Sequence, residues 1–169
     1  MLAIFGEVDC RCHLIRQKRL QQRSSQNIVH ECVQRHLEAL KELNQTYRVC
    51  AYGPIASSVL PESNHKDFPR VGSTEERNEI SLLYNQELEW MCRENNVGFV
   101  TLFYELCNLN SLQTKEEFYA QDRVHLSQST IERYQKMILD AFQNMEPGFM
   151  MGDTFTPVPP TRLASDPCL

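Results

Sequence analysis

Residues 2–13 read LAIFGEVDCRCH. The first four are apolar, and the next eight hold one glycine, two acids, an arginine, two cysteines and a histidine. A short apolar run that gives way at once to glycine and charge reads as a buried strand ending in a polar turn. The next apolar pattern has a different period. In SSQNIVHECVQRHLEALKEL, residues 24–43, apolar side chains fall at 28, 29, 32, 33, 37, 40 and 43, the spacing of one helix face.

The same pairing recurs twice. YRVCAYG, residues 47–53, is rich in aromatic and small apolar residues and stops at Gly53-Pro54, so it reads as a second strand. Ser73 and Glu76 have the spacing of a capping box, opening a helix to about Asn96 with Ile80, Leu83, Tyr84, Leu88 and Met91 on its buried face. VGFVTLFYEL, residues 97–106, reads as a third strand. Ser129 and Glu132 then mark a second capping box, before a helix that buries Ile131, Tyr134, Ile138 and Phe142. Strand and helix alternating three times predict an α/β domain, its parallel strands joined by right-handed crossovers and covered by helices. That domain is expected over residues 1–145. Residues 146–169, with five of the eight prolines and no periodicity, are expected to be a disordered tail.

Composition limits the partners. A net charge of -5 with 23% charged residues argues against nucleic acid and against an anionic membrane surface. No apolar run approaches the roughly 20 residues that span a bilayer. Seven cysteines, an odd number in a chain long enough to bury a core, fit a reducing compartment such as the cytoplasm better than a disulfide framework. Most of them are expected to pack as small hydrophobes.

In a parallel α/β sheet the functional crevice lies beyond the carboxyl ends of the strands. Three polar segments converge there: GEVDCRCH after the first strand, GPIASS after the second, and the loop leading to DRVHLS, residues 122–127, after the third. Asp122 lies three residues before His125 and just ahead of a helix. Folded back, such an aspartate accepts the Nδ1 proton and leaves Nε2 as a general base. The bland alternative is a turn aspartate and a surface histidine. Convergence with GEVD on one edge favours the functional reading.

Other segments compete less well. Ser57 and Ser58 follow the second strand, but GPIASS lacks a glycine-flanked nucleophile turn, and they read as loop residues. Cys10 and Cys12 flank Arg11, which would lower a thiol pKa, so a Cys–His pair with His125 is a second option. Cys10, Cys12 and His13, with His65, would offer zinc ligands, but the spacing is wrong for a structural zinc site. No metal and no cofactor is expected. Arg11 reads as an ion-pair partner of Asp9 or Glu7, or as a binder of a substrate anion. His30 and His36, six residues apart on the first long helix, read as surface residues. RQKRLQQR, residues 16–23, reads as a solvated loop or helix start.

GEVD and DRVH, about 110 residues apart, resemble the third and fifth sequence blocks of the SGNH (GDSL-type) hydrolases. The resemblance covers roughly residues 1–145. It implies a three-layer α/β/α, flavodoxin-like fold and an esterase in which Asp122 and His125 are two members of a Ser-His-Asp triad. Gly6, Glu7, Asp9, Arg11 and His13 would then line the oxyanion and substrate site. Two departures follow. The third-block asparagine position holds Val8, and one lost oxyanion donor costs about 100 to 1000-fold in rate. The blocks with the nucleophilic serine and the oxyanion glycine have no counterpart, so the chain reads as the C-terminal portion of such a domain, lacking its first strands. The expectation is an ester hydrolase for O-acyl esters of carbohydrates or other small polar molecules, impaired or inactive as this chain alone. The alternative is a non-catalytic interaction protein on a truncated hydrolase fold, pairing with itself or a partner through the bared first strand or the proline-rich tail, TPVPP at 156–160.

Overall fold

The computed structural model describes residues 1–143 except 65, 67, 68 and 124, so the expected tail, His65 and Cys168 lie outside the described residues. β1 (Leu2–Ile4) leads into a π-helical turn, Asp9–His13, which continues as α1 (Leu14–Gln21). Then come α2 (Ser25–Asn44), β2 (Cys50–Tyr52), α3 (Thr74–Glu94), β3 (Gly98–Val100), α4 (Phe103–Leu106), β4 (Cys107–Asn108), β5 (Gln113–Thr114) and α5 (Gln128–Gln143). The chain is a mixed α/β protein built on a three-stranded parallel sheet in the order β1-β2-β3. Ala3 pairs with Ala51 and Phe99 lies opposite Ala51, so the three central residues share one register row.

That register fixes which residues each face buries, because successive side chains on a strand alternate. Ala3, Ala51 and Phe99 join the main core with Val29, Val33 and Leu40 of α2 and Ile80, Tyr84 and Leu88 of α3. Burying each large side chain there contributes about 1.5–3 kcal/mol. Leu2, Cys50, Tyr52 and Val100 form a separate cluster with Phe142 of α5. Ser24 caps α2 by accepting the Asn27 N–H, and both bonds of the Ser73–Glu76 capping box form at α3.

Three details differ from the sequence reading. The third strand ends at Val100, and Phe103–Leu106 is a helical turn. The reason is local: Leu102, Phe103 and Leu106 are buried at helical spacing, and the Thr101 hydroxyl accepts the Phe103 N–H at 3.1 Å. α5 begins at Gln128, so Ser129 sits inside its first turn, not at its cap. Ile131, expected on the buried face of the last helix, is 49% exposed; the basic stretch 16–23 is largely exposed, as expected, and mostly helical in α1.

Candidate active site

Gly6 ends the approach from β1 with φ +88°, and a Cβ there would lie 2.6 Å from the Tyr84 ring. Only glycine fits that combination of positive φ and close contact. The Gly6 carbonyl accepts the Cys10 N–H at 2.8 Å, which starts the π-helical turn. Turns of this kind insert an extra residue and re-aim the side chains around them. Here Cys10 and Cys12 are buried, while Glu7 and Val8 are exposed. Glu7 and Arg11 pair at 3.5 Å, as the sequence suggested. His13 Nδ1 lies 3.2 Å from Asp9 Oδ1, and Asp9 Oδ2 faces His36 Nε2 at 3.9 Å.

The loop after β2 is tied down from α3. Arg77, fully buried, donates to the carbonyls of Gly72 at 2.5 Å, Leu60 at 2.6 Å and Ser58 at 3.1 Å, and to the Ser57 hydroxyl at 2.6 Å. Asn78 accepts the Ser57 N–H at 2.7 Å and donates to Leu112 O and Thr114 Oγ1. Asn85 donates to Pro54 O at 2.9 Å. The described parts of this loop are thus braced from α3. Ser57 is committed to these bonds, since its hydroxyl accepts from Arg77 and donates to Ser58 O.

The third segment is a small antiparallel turn. Tyr119 bridges to Leu126, Ala120 N–H donates to His125 O at 2.8 Å, and Ser127 N–H donates to Phe118 O at 2.8 Å. Within it Asp122 holds His125 twice: Oδ1 accepts the His125 backbone N–H at 3.0 Å, and Oδ2 lies 2.7 Å from Nδ1. The pair is open to solvent, with side chains 51% and 78% exposed. The turn is fastened to the second segment, because the Tyr119 hydroxyl donates to the Ala56 carbonyl. Glu7, Arg11, Ala56, Ser57, Arg70 and Tyr119 line one small cleft. The first two segments thus meet at this cleft, and the third reaches it through Tyr119. His125 and Asp122 belong to the same turn as Tyr119 and are not part of the cleft lining, whereas Asp9 faces His36 of α2.

Cys10 gives no activated nucleophile. Burial pushes the Cys10 thiol well above its ordinary range, the opposite of what a thiolate nucleophile needs. Cys10, Cys12, Cys32, Cys50, Cys92 and Cys107 are all free. His36 departs from the surface role expected of it. It is stacked on Phe5 with ring centroids 5.0 Å apart, hydrogen-bonded through Nδ1 to the Tyr84 hydroxyl, and held below its ordinary pKa chiefly by burial. His30 is half exposed and bonded to Glu87 at 2.6 Å. Among the described residues no helix is long and apolar enough to cross a membrane. The chain matches no protein-family model, no curated protein and no solved structure.

Proposed function

We propose that this chain carries the acid–base part of an SGNH-type ester hydrolase acting on O-acyl esters of carbohydrates or similar small polar molecules. The observation that carries the reading is the double hold of Asp122 on His125. With Nδ1–H given to the carboxylate, Nε2 bears the lone pair of a general base, and the backbone bond fixes the turn that presents it. Glu7 and Arg11 line the neighbouring cleft, and the resemblance places Gly6 with them at the oxyanion and substrate site. Residues packed on both faces of the parallel sheet support a three-layer, flavodoxin-like arrangement. Because Ser57 is bonded into Arg77 and the Cys10 thiol is held protonated, the chain by itself is expected to be impaired or inactive.

The test has two arms. Purified residues 1–169 should not react covalently with a serine-directed fluorophosphonate; labelling that disappears in His125→Ala would identify an internal nucleophile. The protein isolated from its own source should release acetate from acetylated sugars, and His125→Ala should lower that rate on the order of 1000-fold. Hydrolysis indifferent to His125 overturns the reading.

One observation favours a second reading, a non-catalytic interaction protein. β1 is paired on one side only among the described residues, and Ile4 on it is 63% exposed. A bared apolar edge of this kind pairs readily with another strand.

A further inference from the structure

Asp9, Cys32 and His36 bring one carboxylate oxygen, one thiol sulfur and one imidazole nitrogen within 4.8 Å of one another. They come from two elements: Cys32 and His36 are one helical turn apart on α2, and Asp9 opens the π-helical turn after β1. Residues four apart on a helix share a face, so the two α2 ligands point together toward Asp9. All three side chains are partly buried, which gives the cluster solvent access without leaving it loose.

We infer that Asp9, Cys32 and His36 form a zinc-binding site. The mixed oxygen, sulfur and nitrogen donor set suits a borderline-soft ion, and three protein ligands leave a fourth tetrahedral position for water or an incoming ligand. Zinc bonds of about 2.0–2.3 Å need ligand atoms somewhat closer than they stand here, a contraction of about 1 Å by side-chain rotation.

The surroundings are those of a metal site. A ligating histidine almost always gives its other ring N–H to a fixed acceptor, which sets the tautomer and the ring plane. His36 Nδ1 is hydrogen-bonded to the buried Tyr84 hydroxyl, and Nε2 is the atom that faces Asp9. Stacking on Phe5 fixes the ring further. Asp9 is oriented in the same manner: its Oδ1 is held by His13 at 3.2 Å, leaving Oδ2 for the site. A dication removes the repulsion between carboxylate and thiolate. On binding, the Cys32 S–H bond breaks, its proton leaves to solvent, and the thiolate electron pair goes to zinc.

The experiment is zinc titration of the full chain after chelator treatment, with cobalt(II) as a spectroscopic probe. One zinc per chain, a thiolate-to-cobalt charge-transfer band and tetrahedral ligand-field bands are expected. Cys32→Ser and His36→Gln should each weaken zinc affinity about 100-fold or more, and Tyr84→Phe about 10-fold. Cys107→Ser, a thiol in a different cluster, and His125→Ala should leave binding unchanged, so the outcome is separable from that of the hydrolase reading. Far-UV circular dichroism shows that each variant is folded, and a zinc-dependent rise in the wild-type unfolding midpoint gives a second measure. No stoichiometric zinc, or binding undiminished in both Cys32→Ser and His36→Gln, or a cobalt spectrum without the thiolate band, overturns the inference.

Discussion

The ring of Tyr84 occupies the space that a side chain on Gly6 would need, with Tyr84 Cζ 2.6 Å from the position of a Cβ. One residue of α3 thus dictates the glycine of the GEVD segment, and the same tyrosine holds His36 through its hydroxyl. Gly6→Ala meets both the clash and the left-handed backbone, φ +88°. It is expected to cost about 2–4 kcal/mol in urea unfolding. A loss below about 0.5 kcal/mol would mean that the turn relaxes away from Tyr84.

Arg77 is fully buried, and among the described residues it has no carboxylate within ion-pair distance. Its charge is met by carbonyl oxygens of the loop after β2, and burial lowers its pKa from the ordinary arginine value. Arg77→Lys keeps the charge but loses the planar fork that reaches several acceptors at once. Each buried carbonyl left unpaired costs about 1–3 kcal/mol, so a total loss of about 2–4 kcal/mol is expected. Amide exchange should rise at Ser57 and Ser58 in particular. A variant as stable as wild type would show that Asn78 and Asn85 hold the loop without Arg77.

His36 makes stability depend on pH. Burial lowers its folded pKa, the nearby Asp9 charge pulls it the other way, and burial is the larger effect. The unfolded chain takes up a proton on this group below about pH 6.5, while the folded chain resists it. The unfolded state then binds more protons, so this contribution is present above about pH 6.5 and is lost as pH falls through the folded pKa. Urea midpoints measured with chelator between about pH 5 and 8 should fall toward acid in wild type, and the slope should be shallower in His36→Gln. Parallel profiles would remove His36 as a source of the slope.

The order of strands and helices was legible because each element carries its own period: LAIF and YRVCAYG are short and apolar, and α2 shows an unbroken 3–4 residue apolar spacing. The Asp122–His125 contact was also legible, since it needs only three residues of local chain. Contacts between distant elements were hidden. Arg77, Asn78, Ser81 and Asn85 are buried on α3, yet read singly they look like an ordinary polar face. Their stripe, at steps of three and four beside Tyr84 and Leu88, was the available signal of a helix that buries polar groups to hold loops. Cys32 and His36 were concealed in the same manner. The i, i+4 spacing was visible, but their third member, Asp9, depends on how a π-helical turn orients a segment 23 residues upstream of Cys32.

The outer edge of β1 gives the last prediction. Its inner edge pairs with β2 over Leu2–Ile4, and its outer edge has no strand partner among the described residues. Ile4 is 63% exposed and Met1 45% exposed, so the edge is apolar as well as unpaired. Natural edge strands are commonly protected by a charge, most often lysine, because a charged side chain discourages a second strand from docking. Ile4→Lys supplies that protection at a position where little apolar surface is buried, so folded stability should stay within about 0.5 kcal/mol. Sedimentation velocity at micromolar concentrations should then show self-association in wild type that diminishes in Ile4→Lys, with unfolding midpoints nearly the same. If wild type sediments as a monomer throughout, the strand edge is not an adhesive surface and the interaction reading loses the observation that favours it. If both proteins associate equally, the contact lies elsewhere, and Trp90, 53% exposed on α3 beside a groove lined by His30, Arg35 and Met91, is the next surface to alter.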